Sequence, residues 1–111
     1  MMITIQTETG KTQNAYLALP PGGSGPGVLV LHAWWGLTDF FQTWCDRLAA
    51  EGFVALAPDL YGGQTAQTIA EATDLSEALD YEITTEIVKA AVDTLANHPA
   101  TEGKAMGQHL M

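Results

Sequence analysis

Cysteine, basic residues and long apolar runs are what this chain has least of. One cysteine in 111 residues, Cys45, excludes an internal disulfide, and the expected location is the cytoplasm. Four Lys and Arg stand against 13 Asp and Glu, a net charge of −9. That sign repels phosphate backbones and anionic headgroups, so neither nucleic acid nor a membrane is an expected partner. No apolar run approaches the roughly 20 residues that a transmembrane helix needs. The start, Met-Met-Ile-Thr-Ile-Gln, lacks the basic and apolar regions of a signal peptide. No set of His, Cys, Asp and Glu has metal-ligand spacing, and no metal or cofactor is expected. No internal repeat is visible. The length suits one small domain, and 47% hydrophobic residues are enough to bury a core.

What is present is organised around residues 28–37, Val-Leu-Val-Leu-His-Ala-Trp-Trp-Gly-Leu. The first four are apolar without alternation. A strand apolar on both faces is covered on both faces, as inside a parallel sheet with helices above and below. Gly36 breaks the pattern and a helix pattern begins near Asp39. Strand, loop, helix opens a βαβ unit, and such sheets bind ligands at the carboxyl ends of their strands. The chemistry is therefore expected at residues 32–37.

Upstream, residues 2–9 alternate as a strand, Gly10-Lys11 reads as a turn, and residues 15–19 read as a second strand. The pair forms an antiparallel hairpin at the sheet edge. Residues 20–27, rich in Pro and Gly, form a loop that feeds the central strand. Its glycines match neither a dinucleotide fingerprint nor a P-loop, and the loop precedes a strand instead of opening a helix. Downstream, a helix over 39–51, capped by Asp39, carries Phe41, Trp44, Cys45 and Leu48 on one apolar stripe. Gly52 stops it. Residues 53–57 form the next strand, closed by Pro58 and followed by Asp59. Residues 65–79 predict one helix or two short ones, with Ile69, Ala72, Leu75 and Leu79 in near-helical spacing. Residues 82–97 predict a firmer helix, with a row of Ile87, Ala91 and Leu95 flanked by Ile83, Val88 and Val92. The acidic residues between 71 and 93 belong to solvated helix faces. Residues 103–111 take the place of a third parallel strand, but Gly107, Gln108 and His109 sit where a central strand wants Val or Ile.

Residues 27–37, together with 46–63, Asp-Arg-Leu-Ala-Ala-Glu-Gly-Phe-Val-Ala-Leu-Ala-Pro-Asp-Leu-Tyr-Gly-Gly, closely resemble the dienelactone hydrolase family of α/β-hydrolases. Two separate blocks match at the right spacing, and a looser likeness extends to Asn97. The resemblance implies an α/β protein, a partial α/β-hydrolase fold with an N-terminal antiparallel hairpin and then parallel βαβ units. Residues 1–111 would be a single incomplete domain, the N-terminal half. It also implies ester and lactone hydrolysis by a Cys-Asp-His triad whose Cys sits on a Gly-x-Cys-x-Gly elbow. That elbow would follow the strand beginning at Lys104, so all three triad positions would lie beyond Met111 and no catalytic residue is assigned here. A Glu that family members carry is replaced by Ala33. The backbone amide of Trp34 takes the oxyanion-hole position, a role that needs no particular side chain. The loop from Asp59 to Tyr61 and Gly63 matches the pocket region. An Arg that some members use there has no counterpart.

Against this frame, Cys45 lies mid-helix on the apolar stripe, where a cysteine acts as a small hydrophobe with a raised pKa. His32 braces the oxyanion loop by hydrogen bonding. Asp59 fixes its own loop through backbone amides. Trp34 and Trp35 either line a pocket or cover the end of the sheet. His98 favours the dipole at a helix C-terminus. Ser24 and Ser76 lack elbow context. The pocket candidates are thus His32, Ala33, Trp35, Asp59 and Tyr61. The expected function is that of a dienelactone hydrolase-like esterase acting on a small ester or lactone, with the chain inactive alone. A separate chain supplying the triad is a second enzymatic possibility. The alternative from another class is a non-catalytic binding module that self-associates through an unfinished sheet edge.

Overall fold

The structure is a computed structural model that describes residues 1–32, 35–101 and 106–110, with the backbone alone at Tyr81 and across 106–110. Five strands form one sheet: β1 (Met2–Gln6), β2 (Thr12–Ala18), β3 (Gly27–Leu31), β4 (Val54–Pro58) and β5 (Met106–Leu110). Their order is β1-β2-β4-β3-β5. The first two make the expected antiparallel hairpin, with Ile3 opposite Ala15, and β2 lies antiparallel to β4. β3 runs parallel to β4 on one side and to β5 on the other.

The unbroken apolar run of β3 has the predicted cause. Leu29 faces a core built with Val54 and Leu56 of β4, Ile5, Ala15 and Leu17 of the hairpin, and Ile87, Ala90, Ala91 and Leu95 of helix α3 (Tyr81–Asn97). Val30 faces the opposite core, with Ala55, Ala57 and Phe41, Cys45 and Ala49 of helix α1 (Asp39–Ala50). Successive residues of a strand point to opposite faces, so a strand between two helical layers must be apolar at every position. All five residues of β4 are buried.

Several expectations shift in detail. The N-cap of α1 is Thr38 and not Asp39, which is its first helical residue. The acidic segment forms one helix, α2 (Ile69–Glu77), whose cap Thr68 accepts the Glu71 amide at 3.1 Å. Of its apolar spacing only Ala72 is buried, and Ile69 is 67% exposed. On α3, Ile83 and Val92 face outward. The last strand pairs with β3 despite its glycine and polar residues, because the ladder is made of backbone groups; its residues are Met106–Leu110, and Lys104 and Met111 lie outside the described residues. At the amino end of β3, Gly25 passes so close to Gly52 that a Cβ would stand 2.0 Å from the Gly52 carbonyl oxygen.

Candidate active site

The carboxyl ends of β3 and β4 bring together two loops from separate parts of the sequence. The first follows Leu31 and contains His32, Trp35, Gly36 and Leu37. The second follows Pro58 and contains Asp59, Leu60 and Tyr61. Of the predicted site residues, His32, Trp35, Asp59 and Tyr61 can be placed; Ala33 and Trp34 lie outside the described residues.

Asp59 is 5% exposed. Its Oδ1 accepts the Tyr61 amide at 3.0 Å and its Oδ2 the Gly63 amide at 2.8 Å. Its own amide donates to the Asn14 carbonyl at 2.9 Å, which ties the loop to the hairpin. The carboxylate thus closes its loop with the amides ahead of it, as a short acidic side chain does in tight turns.

His32 is buried. Its Nε2 accepts the Leu60 amide at 2.9 Å, so this nitrogen carries no proton and the ring is a neutral imidazole protonated at Nδ1. The expected brace is thus made to the loop after β4, because adjacent parallel strands end side by side. Edge-on aromatic contacts hold the ring, with Tyr61 at 4.9 Å and Phe41 at 6.4 Å between centroids. Tyr61 is 8% exposed, and burial raises the pKa of its phenol.

Two contacts join the loops again farther out. The Ala66 amide donates to the Trp35 carbonyl at 2.9 Å. Gly36, at φ +95°, lies so close to the second loop that a Cβ would stand 2.8 Å from the Gln64 carbonyl oxygen. Reading the sequence marked Gly36 only as a break; its position two residues before a helix cap was the available signal for a forced glycine. Phe41 and the 64–66 segment were missed because nothing local links them to His32. Trp35 is 38% exposed and Phe40, in the first turn of α1, is 59% exposed.

Elsewhere the candidate groups are structural. Cys45 is fully buried on α1, and burial, with Asp46 next to it, pushes its thiol up to about 12, which removes the thiolate at neutral pH. His98 follows α3, and its Nδ1 accepts the Ala100 amide at 3.0 Å. Ser76 donates to the Thr73 carbonyl at 3.0 Å. Among the described residues no group of three or more His, Cys, Asp and Glu could hold a metal ion, and no helix is long and apolar enough to cross a membrane.

A parallel sheet entered through an antiparallel hairpin, helices on both faces and a site at the strand ends define a member of the α/β-hydrolase class. The sequence profile of the dienelactone hydrolase family matches residues 13–108, and the chain belongs to that family. It is 40% identical over 107 residues to the protein usf of Aquifex pyrophilus, an alignment covering 90% of this chain and 46% of that one. A carboxymethylenebutenolidase of Pseudomonas sp. strain P51 is 41% identical over 59 residues, 53% of this chain and 25% of the relative. Among solved structures, a dienelactone hydrolase-like promiscuous phosphotriesterase from metagenomic libraries shares the fold, with TM-score 0.76 and 23% identity over 100% of this chain and 48% of that one. The chain thus spans at most about half the length of these relatives.

Proposed function

We propose that this chain is the oxyanion-and-pocket part of a dienelactone hydrolase-like esterase, a single incomplete domain that does not turn over substrate by itself. The parent reaction is acyl transfer: a thiolate attacks the carbonyl of a small ester or lactone, the oxyanion is held in part by the Trp34 amide, and water releases the acid. The 111 residues contain no elbow cysteine, and Cys45 is a buried, protonated thiol. The observation that carries the reading is the register of β5 on β3: Leu110 pairs with Leu31, so β5 ends beside the loop that begins at His32. A nucleophile elbow following such a strand would face that loop.

The test is complementation. The 111-residue chain is assayed on p-nitrophenyl acetate and on a dienelactone, alone and after co-refolding with the second half of a family esterase. The expected result is no saturable hydrolysis alone and hydrolysis in the mixture. Saturable turnover by the chain alone, surviving Cys45→Ala, would overturn the reading.

A second reading rests on the sheet order, which ends on β5; among the described residues no strand pairs with its outer side. An open edge is a template for pairing with another copy. Light scattering behind size-exclusion chromatography separates the two: a folded monomer at high concentration removes edge-mediated assembly.

A further inference from the structure

The contacts at the carboxyl ends of β3 and β4 close into one circuit, and a single side chain completes it. We infer that His32 is a positioning residue that locks the loop after β3 to the loop after β4. This deepens the esterase reading and rests on it. His32 belongs by sequence to the first loop, two residues before Trp34, the position whose amide would serve the oxyanion. Its Nε2 accepts from the second loop, at the Leu60 amide, 2.9 Å away. The ring cannot swing freely, because Tyr61 of the second loop and Phe41 of α1 meet it edge-on.

The circuit returns through the Trp35 carbonyl, which accepts the Ala66 amide at 2.9 Å. Between these two bonds Gly36 leaves no space for a Cβ against Gln64 and Tyr61. The second loop is itself stiff, since Asp59 accepts the amides of Tyr61 and Gly63. Two hydrogen bonds with close packing between them make the loops one body: displacing either strains both bonds. Such an arrangement fits a site whose oxyanion donors must be held to within about half an ångström.

Amide hydrogen exchange on the 111-residue chain tests this without any hydrolysis. In His32→Phe, which keeps an aromatic ring and loses the acceptor, exchange should rise roughly tenfold at Leu60. It should also rise at Ala66, which His32 does not touch, while amides of α1 stay at their wild-type rates. His32→Gln, with an acceptor oxygen near the place of Nε2, should restore both. Coupling is reciprocal, so Gly36→Ala should in turn loosen Leu60, which keeps the test alive if His32→Phe does not fold. Faster exchange at Leu60 with Ala66 unchanged, or Gly36→Ala leaving Leu60 protected, overturns the inference. In the complemented enzyme, His32→Phe should lower kcat roughly tenfold with KM nearly unchanged, and His32→Gln should recover it; an unchanged kcat overturns the positioning role. A mixture that never gains activity counts against the esterase reading, and the exchange experiment then still decides whether the loops are coupled.

Discussion

Gly36 and Gly63 offer an internal control for the packing between the two loops. Both sit at positive φ, +95° and +90°. Replacing either by Ala forces a Cβ into the same disfavoured backbone region, at a cost of about 1–2 kcal/mol. Both substitutions also remove the same glycine freedom from the unfolded chain, which offsets about 0.4–1 kcal/mol. The surroundings differ. A Cβ at Gly63 meets nothing within 4 Å, whereas one at Gly36 stands 2.8 Å from the Gln64 carbonyl oxygen, 3.1 Å from the Tyr61 ring and 3.3 Å from the Thr65 Cα. Two of these neighbours are backbone, so relief requires moving the second loop, at about 1–3 kcal/mol for overpacking. The shared terms cancel in the difference. Gly36→Ala should therefore be about 2 kcal/mol less stable than Gly63→Ala in urea unfolding. At about 4–8 °C per kcal/mol for a domain near this size, the melting temperatures should differ by roughly 8–16 °C. Equal stabilities within about 0.5 kcal/mol would refute the claim that these loops are packed against each other.

The remaining predictions concern the core, the clamp and the thiol. Leu56→Ala, at a side chain with no exposure, should cost about 2–5 kcal/mol, and Val92→Ala, 38% exposed, less than about 0.5; similar urea midpoints would contradict the assigned cores. Asp59→Ala should cost about 2–4 kcal/mol because two amides lose a charged acceptor, with Asp59→Asn in between; an Asp59→Ala variant as stable as wild type would remove the clamp. Cys45 should resist iodoacetamide at pH 8 until urea unfolds the chain, and fast labelling of the native state would place it outside the core. Its thiol keeps its proton in the native state up to about 12, while the unfolded thiol ionises near 9. The native state thus binds more protons above about pH 9, and stability should fall as pH rises from there. Tyr16, whose hydroxyl donates to Asp46 and which is raised to about 12, acts in the same direction, so Cys45→Ala should reduce that pH dependence without abolishing it.

Legibility followed the range of the interactions. The apolar runs of β3 and β4, the hairpin and the stripe on α1 could be read because each is a repeated local pattern with one physical cause, burial on one face or on both. Asp59 was legible as a loop clamp because its partners lie two and four residues ahead. His32 was read as a brace, but its partner was not legible, since the Leu60 amide is 28 residues away and only strand pairing brings it near. The pairing of β5 overrode its side-chain composition, since a ladder asks only for backbone donors and acceptors. Helical spacing alone does not say how wide the buried stripe of α3 is: the helix meets the sheet along Ile87, Ala90, Ala91 and Leu95, and of the three flanking residues Val88 packs against this core while Ile83 and Val92 are exposed.

The same division separates what stabilises the molecule from what would serve a reaction. The two cores lie along the lengths of the strands and are filled by residues that any well-packed α/β sheet could supply. The loops at the carboxyl ends are joined by a histidine nitrogen and a glycine without room for a methyl group, and the second is closed on itself by a buried carboxylate. Core packing tolerates exchange of one hydrophobe for another of similar size. The loop contacts do not, because each depends on one atom at one distance. Precision of that kind at a strand end is what the positioning of a backbone amide requires, and it is already present with no elbow cysteine in the chain. The two loops are therefore held by contacts within this chain. This is why complementation, with the nucleophile brought by a second piece, is a sound test of the proposed esterase role.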